Sequence, residues 1–403
     1  MSQSVLSPEF LAVGLAAVIL LNLFQGLYRQ FLFLGLNVLF VAGFLLPPIA
    51  AAGVGAMFLI GYIFVRLDAH VTGWLFAGGL LLLVSIFAYM RNYDFLTLFL
   101  PDAFLTSTFA VIGLSFLFFK IIHVIVDHRA GTIGRLDFLT YTNYCLNFST
   151  FLMGPIQRYQ DYEAQWNGTK EAIPLKYEAH LDAVLRMLIG FAKAFVLAPI
   201  FQAEALTPDI DLVALTPLEW LIAVYCFWFY LYLNFSGYCD VVIGLGSLMG
   251  IRPPENFNRP FLARNISDFW QRQHRSLTLW LTDYVFTPLY KQSLSNPWLA
   301  ARKTLAVCLC LMATMMVSGL WHGTTLSFFF FGIIHGIWFV IYRLSDTLLT
   351  QRLGRQGMKR FRQRPIVAAT GMFLTFNATA FAFVFFQVSS DRIIDAIKTV
   401  AGA

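Results

Sequence analysis

Charge is what this 403-residue sequence has least of. Only 12% of its residues are Asp, Glu, Lys or Arg, about half the share found in an ordinary soluble domain. With 58% hydrophobic residues and a mean hydropathy of +0.68, the chain carries more apolar surface than a soluble core absorbs. Several catalytic signatures are missing as well. There is no serine nucleophile elbow, no Walker loop and no Cys/His cluster at zinc spacing, so no metal site is expected. The glycines of VVIGLGSLMG lack the strand and βαβ unit of a dinucleotide loop and suit close helix packing instead. Cysteine is scarce: Cys145, Cys226 and Cys239 stand isolated, and Cys308 and Cys310 would point about 200° apart on one helix, which argues against disulfides. Residues 1 to 8 hold no Lys or Arg, and the first apolar run has neither the basic flank nor the small-residue site of a cleavable signal peptide. No internal repeat of the transporter kind is visible, and a single membrane-embedded domain over residues 1 to 403 is expected.

Long apolar runs fill the space that charge leaves. They lie near residues 9 to 27, 30 to 46, 48 to 65, 72 to 90, 103 to 126, 183 to 203, 214 to 233, 303 to 320, 324 to 345 and 366 to 388. Most are long enough to cross a hydrocarbon layer about 30 Å thick. Residues 138 to 156 and 236 to 290 mix Asn, Gly, Pro and charge with aromatics, a composition suited to re-entrant or interfacial elements shielded from lipid. The expected fold is an all-α polytopic membrane protein with about 10 to 12 crossings, and with 138 to 156 and 255 to 290 lining a central cavity.

Arg29, Arg66, and Arg129 with Arg135 fall in alternate loops, with Arg91 a mild exception. The positive-inside rule then puts those loops in the cytosol and the N-terminus outside. Arg352, Arg355, Lys359, Arg360, Arg362 and Arg364 crowd one loop between two strong spans, which reads as cytosolic. The net charge of +6 is explained by this topology and by attraction to anionic lipid; it does not call for nucleic acid.

Among seven histidines, three sit in or beside apolar sequence, where an ionisable group is costly and marks a functional candidate. His322 lies in SGLWHGTTLSFFFFGIIHG at the junction of two apolar helices, with Gly319 and Gly323 allowing a tight turn and close approach. His274 follows Asn265, a helix cap with Asp268 in the favourable first turn. On one continuous amphipathic helix, Trp270, His274, Leu277 and Leu281 would share a face. His335 sits inside a phenylalanine-rich span, facing either lipid or a neighbouring helix, with lipid exposure disfavoured by its cost. Each has a structural alternative, a hydrogen bond to loop or helix, and the residues by themselves leave both readings open. His70, His128 and His180 in polar loops, and His123 at a span end, read as structural.

The segment LYLNFSGYCDVVIGLGSLMGIRPPENFNRPFLARNISDFWQRQHRSLTLWLTDYVFTPL resembles the signature of the membrane-bound O-acyltransferase (MBOAT) family. The likeness is to its bacterial branch, which takes in alginate O-acetylation and teichoic-acid D-alanyl transfer. FSTFLMGPIQRY at 148 to 159, GFAKAFVLAPI at 190 to 200 and SGLWHG at 318 to 323 agree in order and spacing. Together they define a motif-bearing core of about residues 140 to 340. The resemblance implies an active site where an outward funnel meets a cytosolic opening, with His322 of the Trp-His-Gly motif as the catalytic residue and His274 at the second position. Members usually carry Trp before that second histidine and Arg before the Asp-Tyr pair; this chain has Gln273 and Thr282, a departure that touches donor binding.

The resemblance thus implies an O-acyltransferase of the bacterial cytoplasmic (inner) membrane. It would take an acyl group, acetyl in the first instance, from a cytosolic thioester to a hydroxyl of a surface polysaccharide or a periplasmic partner. Acetyl-CoA or an acyl carrier protein would be the co-substrate, with no permanently bound cofactor. D-alanyl transfer from a carrier protein and a non-enzymatic transport or export role are the alternatives. His322 would be the base, His274 would orient the substrate or stabilise the oxyanion, and His335, Asn256, Arg264, Asp283 and Arg158 would support the site, since buried charge must be paired.

Overall fold

The computed structural model of the chain describes residues 6–41, 48–67, 72–93, 96–97, 113–168 and 177–401. Among these residues the secondary structure is helical throughout, with no strand. Six helices are long and apolar enough to cross a membrane, and Pro8–Leu23, Gly26–Val41 and Gly53–Leu67 are shorter apolar helices. The protein is an all-α polytopic membrane protein. It divides into two compact units, Met1–Val196 with Asn234–Glu255, and Leu197–Leu233 with Asn256–Ala403. Residues 138 to 156 therefore belong to the first unit and 256 to 290 to the second. His70 lies outside the described residues.

The first unit is built on α1 (Pro8–Leu23), α2 (Gly26–Val38), α3 (Pro48–Leu67), α4 (Gly73–Arg91), α5 (Leu114–Arg129), α6 (Phe138–Leu146), α7 (Tyr159–Gly168) and α8 (Tyr177–Phe191). Every residue of α5 from Leu114 to Ile125 is buried. A helix apolar on all sides belongs in an interior, and α3, α4 and α6 pack on it. Its one lysine, Lys120, is satisfied there: Nζ donates to the Tyr144 carbonyl and to Thr150 Oγ1, both at 3.0 Å. Residues 140–145 and 147–152 are buried as well. Among their polar groups, Asn143 Oδ1 accepts from Asn37 Nδ2 at 3.2 Å. Arg29, expected in a loop, instead lies in α2; it is buried, donates to the Met249 carbonyl at 2.9 Å and lies over the Trp166 ring. His128 and His180 likewise belong to helix ends, in α5 and α8, rather than to loops.

The long helix α9 (Pro217–Leu248) supplies residues to both units. In the first unit it crosses α8 at Gly190 and Gly237: a Cβ on Gly190 would stand 2.6 Å from the Gly237 carbonyl oxygen, and one on Gly237 would stand 2.7 Å from that of Gly190. Only glycine permits this approach. It brings Asp240 to Lys193 (2.6 Å) and to Arg186 (3.0 Å), and Arg186 forks onto both Glu255 oxygens at 2.6 Å. The glycines of VVIGLGSLMG serve the same packing, since a Cβ on Gly244 would meet Met187 Cγ at 2.5 Å.

The second unit contains α10 (Ile266–Arg272), α11 (Arg275–Leu281), α12 (Thr287–Ser293), α13 (Lys303–His322), α14 (Leu326–Gln363), α15 (Pro365–Ala382) and α16 (Ser390–Ala401). Helices α13 and α14 form a close hairpin. A Cβ on Gly319 would collide with the Phe328 carbonyl oxygen, and one on Gly332 would fall 2.5 Å from that of Met315. Trp228 of α9 is the aromatic centre of this unit, stacked on Phe383 at 4.7 Å and edge-on to Phe261 and Phe269.

Candidate active site

His322 is the last residue of α13. The Gly319–Gly332 approach determines where that helix end sits against α14. Gly323, just after it, is extended (φ −164°), so glycine is needed there for space rather than for its dihedral: a Cβ would run into the Phe328 ring. The half-buried His322 imidazole is ringed by Trp321, Phe386 and Phe331, with centroids 4.5, 4.9 and 5.4 Å away.

The second histidine reaches the same point from another element. His274 is buried, and its ring centroid is 6.0 Å from that of His322. The sequence suggests one continuous helix through His274; the structure has two. Asn265 caps α10 as expected, its Oδ1 accepting from Asp268 N–H at 2.9 Å. That helix ends at Arg272, Gln273 is extended, and His274 takes a left-handed conformation (φ 48°, ψ 48°) before α11 begins. A left-handed non-glycine residue is uncommon and persists where its surroundings over-determine it.

Asn256 is what over-determines it. Its carbonyl accepts from Arg275 N–H at 2.9 Å, and its Oδ1 accepts from Ser276 N–H at 3.2 Å and from Ser276 Oγ–H at 2.8 Å. These bonds satisfy the first turn of α11, where His274 occupies the capping position. Thr278 Oγ–H donates to the Trp270 carbonyl at 2.6 Å, and Asn258 N–H donates to that of Arg272 at 2.8 Å, so the break is stitched on both sides. Gln273 Nε2 lies 3.1 Å from His274 Nε2. With the amide nitrogen as donor, that ring nitrogen accepts and the imidazole proton sits on Nδ1. Burial lowers the proton affinity of the His274 ring and keeps it neutral.

His335, fully buried on α14, stands behind this pair. Phe331 connects them, its centroid 4.4 Å from His335 and 5.4 Å from His322. The Trp270 indole N–H donates to His335 Nδ1 at 3.2 Å. Indole is a donor only, so His335 carries its proton on Nε2. Trp270 also lines a cavity of about 190 Å³ together with Thr278, Leu281, Phe286, Met315 and Phe339. Sequence reasoning places Trp270 on the face of His274 and misses its bond to His335.

Of the other expected supporting residues, Arg264 and Asp283 lie in the second unit and Arg158 in the first. Arg264 is exposed, with its backbone N–H on Asp268 Oδ2 at 3.0 Å, and its side chain lines a groove with α14 and α15. Asp283 is exposed in the π-helical turn Thr282–Phe286. Arg158 belongs to the first unit, its Nη1 lying 3.4 Å from His123 Nδ1. His123 itself accepts the Tyr159 N–H at 2.8 Å, the structural role read for it. Among the described residues no group of three or more His, Cys, Asp or Glu could hold a metal ion.

A membrane-embedded helical protein that turns two imidazoles toward each other from separate elements has the parts for proton transfer away from bulk water. Sequence comparison gives that architecture its family. Residues 81–386 match the MBOAT, membrane-bound O-acyltransferase family, and the chain belongs to it. Similar proteins include the teichoic acid D-alanyltransferase of Streptococcus thermophilus, 32% identical over 288 residues that make up 68% of each chain. That of Bacillus subtilis is 28% identical over 72% of this chain and 73% of its own. The probable alginate O-acetylase AlgI of Pseudomonas aeruginosa is 32% identical over 59% of this chain and 44% of its own.

Proposed function

We propose that this member of the acyltransferase family transfers an acyl group, acetyl in the first instance, from a cytosolic thioester to a hydroxyl of a cell-surface polysaccharide or of a periplasmic intermediary. The observation that carries this reading is the 6.0 Å pairing of His322 with His274. A hydroxyl attacks poorly until its proton is accepted, and neutral imidazole, with an ordinary value near 6.5, accepts one at cellular pH. His322 takes the proton as the hydroxyl oxygen bonds to the thioester carbonyl carbon. The tetrahedral adduct then expels the thiolate, which recovers the proton from the imidazolium. His274 orients the hydroxyl or stabilises the developing oxyanion. The donor is acetyl-CoA or an acyl carrier protein, and the chain sits in the bacterial inner membrane with its N-terminus outside.

D-alanyl transfer from a carrier protein is the second reading. It is favoured by the longer match to the D-alanyltransferases, 68% and 73% of their length against 44% for the probable alginate O-acetylase. Purified protein in proteoliposomes, given radiolabelled acetyl-CoA in one arm and D-alanyl carrier protein in the other, separates the two by which thioester is consumed in a His322-dependent way. Consumption of neither would favour a transport or scaffold role.

A further inference from the structure

The second unit also holds a groove whose lining includes none of the histidines. Helix α14 does not run straight: Gly354 (φ 68°, ψ 169°) breaks it, in a region of conformational space that is essentially glycine's alone. The arm after the break folds back on the arm before it, where Arg362 pairs with Asp346. Two adjoining chambers result, of about 390 and 520 Å³, which share Arg264, Asp346, Met358 and Arg362. The smaller is rimmed by the cations Arg264, Arg355, Lys359 and Arg362 against one carboxylate, Asp346, which Arg362 already neutralises. The larger continues along Tyr342, Leu349, Phe361, Val367 and Leu374 of α14 and α15. At its outer edge Ile366 is 71% exposed and Leu374 is 60% exposed, both on α15, a helix apolar enough to lie in a bilayer.

A cationic chamber opening into an apolar one at the polar end of two spans matches an anionic head joined to an acyl chain. We propose that this groove is a binding site for one anionic glycerophospholipid, its phosphate among Arg264, Arg355 and Lys359 and its first chain along Leu349, Phe361 and Leu374. Charge complementarity selects the occupant: a zwitterionic lipid brings its own cation into a chamber whose lining acid is already paired. Such a lipid would brace the folded-back arm against α15. The cationic segment 352–364, expected as a loop but helical in α14 up to Gln363, then reads as a built site as well as a topological signal.

Native mass spectrometry of the full chain released from detergent tests this, with dioleoyl phosphatidylglycerol and dioleoyl phosphatidylcholine titrated in parallel. Removing three cations around the phosphate should weaken phosphatidylglycerol retention by about a hundredfold. The groove variant is R264Q/R355Q/K359Q. The control is R352Q/R360Q/R364Q, which removes equal charge from the 352–364 segment at positions that do not line either chamber. Expected are tight phosphatidylglycerol adducts in the wild type and the control, loss of them in the groove variant, weak phosphatidylcholine adducts throughout, and no displacement by glycerol 3-phosphate or coenzyme A. Equal loss in both variants would mean diffuse electrostatics and overturn the site. So would retention by the groove variant, equal phosphatidylcholine binding, or displacement by either soluble phosphate compound.

Discussion

The indole N–H of Trp270 donates to Nδ1 of His335, 65 positions further along the chain, and in doing so fixes the tautomer of a fully buried imidazole. It also anchors α10 to α14, directly before the chain turns at His274. Replacing Trp270 with Phe should therefore destabilise the protein by about 1 to 3 kcal/mol, through the buried acceptor left unpaired. His335→Asn should be milder than His335→Ala, because the amide oxygen can still accept the indole proton. Thermal unfolding in detergent checks the order; equal midpoints for the two His335 variants would contradict it.

Asn256 is expected to matter through His274. Asn256→Ala removes the oxygen that satisfies the start of α11 and should cost about 0.5 to 2 kcal/mol. Acyl transfer should fall further than stability alone explains, because the left-handed turn at His274 loses its brace. Asn256→Asp keeps an acceptor and should recover much of both. An Asn256→Ala protein with wild-type rate and wild-type unfolding would show that the turn holds without it.

The close approaches are absolute requirements of shape. Gly319→Leu would drive a side chain into the Phe328 backbone, and Gly332→Leu would do the same to Met315. Both should abolish accumulation of folded protein, whereas Gly354→Ala, with open space around it, should fold and show only the strain of its dihedral. Fluorescence-detection size-exclusion chromatography of tagged variants reads this directly.

The Arg186 guanidinium holds the Glu255 carboxyl below its ordinary value. A depressed carboxylate contributes stability that is present above its unfolded value, about 4.3, and is lost as pH falls through that value toward the folded one. Wild-type stability should thus drop between about pH 5 and pH 3 more steeply than that of Glu255→Gln. Parallel acid unfolding curves for the two proteins would show that Glu255 contributes nothing there.

Hydropathy makes much of the fold legible, because a residue run that must lie in lipid is apolar whatever its neighbours are. The Asn265 cap is legible for a similar reason: its partner Asp268 is three residues away. What composition does not reveal depends on partners distant in sequence. The break at His274 is held by Asn256, the burial of Arg29 by Met249 and Trp166, and the tautomer of His335 by Trp270. Local periodicity near His274 continues as a helix and carries no trace of the loop that interrupts it. Lys120 is detectable as a charge inside an apolar run, yet its bonds to Tyr144 and Thr150 are tertiary.

Acyl transfer by His322→Ala tests the role of that histidine most directly. His322 ends a helix and is half-buried, so the variant should accumulate and fold like the wild type, while the rate of thioester consumption by purified protein in proteoliposomes falls by about 10² to 10⁴. His274→Asn should lose less, since an amide still donates a hydrogen bond though it cannot take a proton at neutral pH. Wild-type turnover by a folded His322→Ala protein would contradict the assignment of His322 as the base.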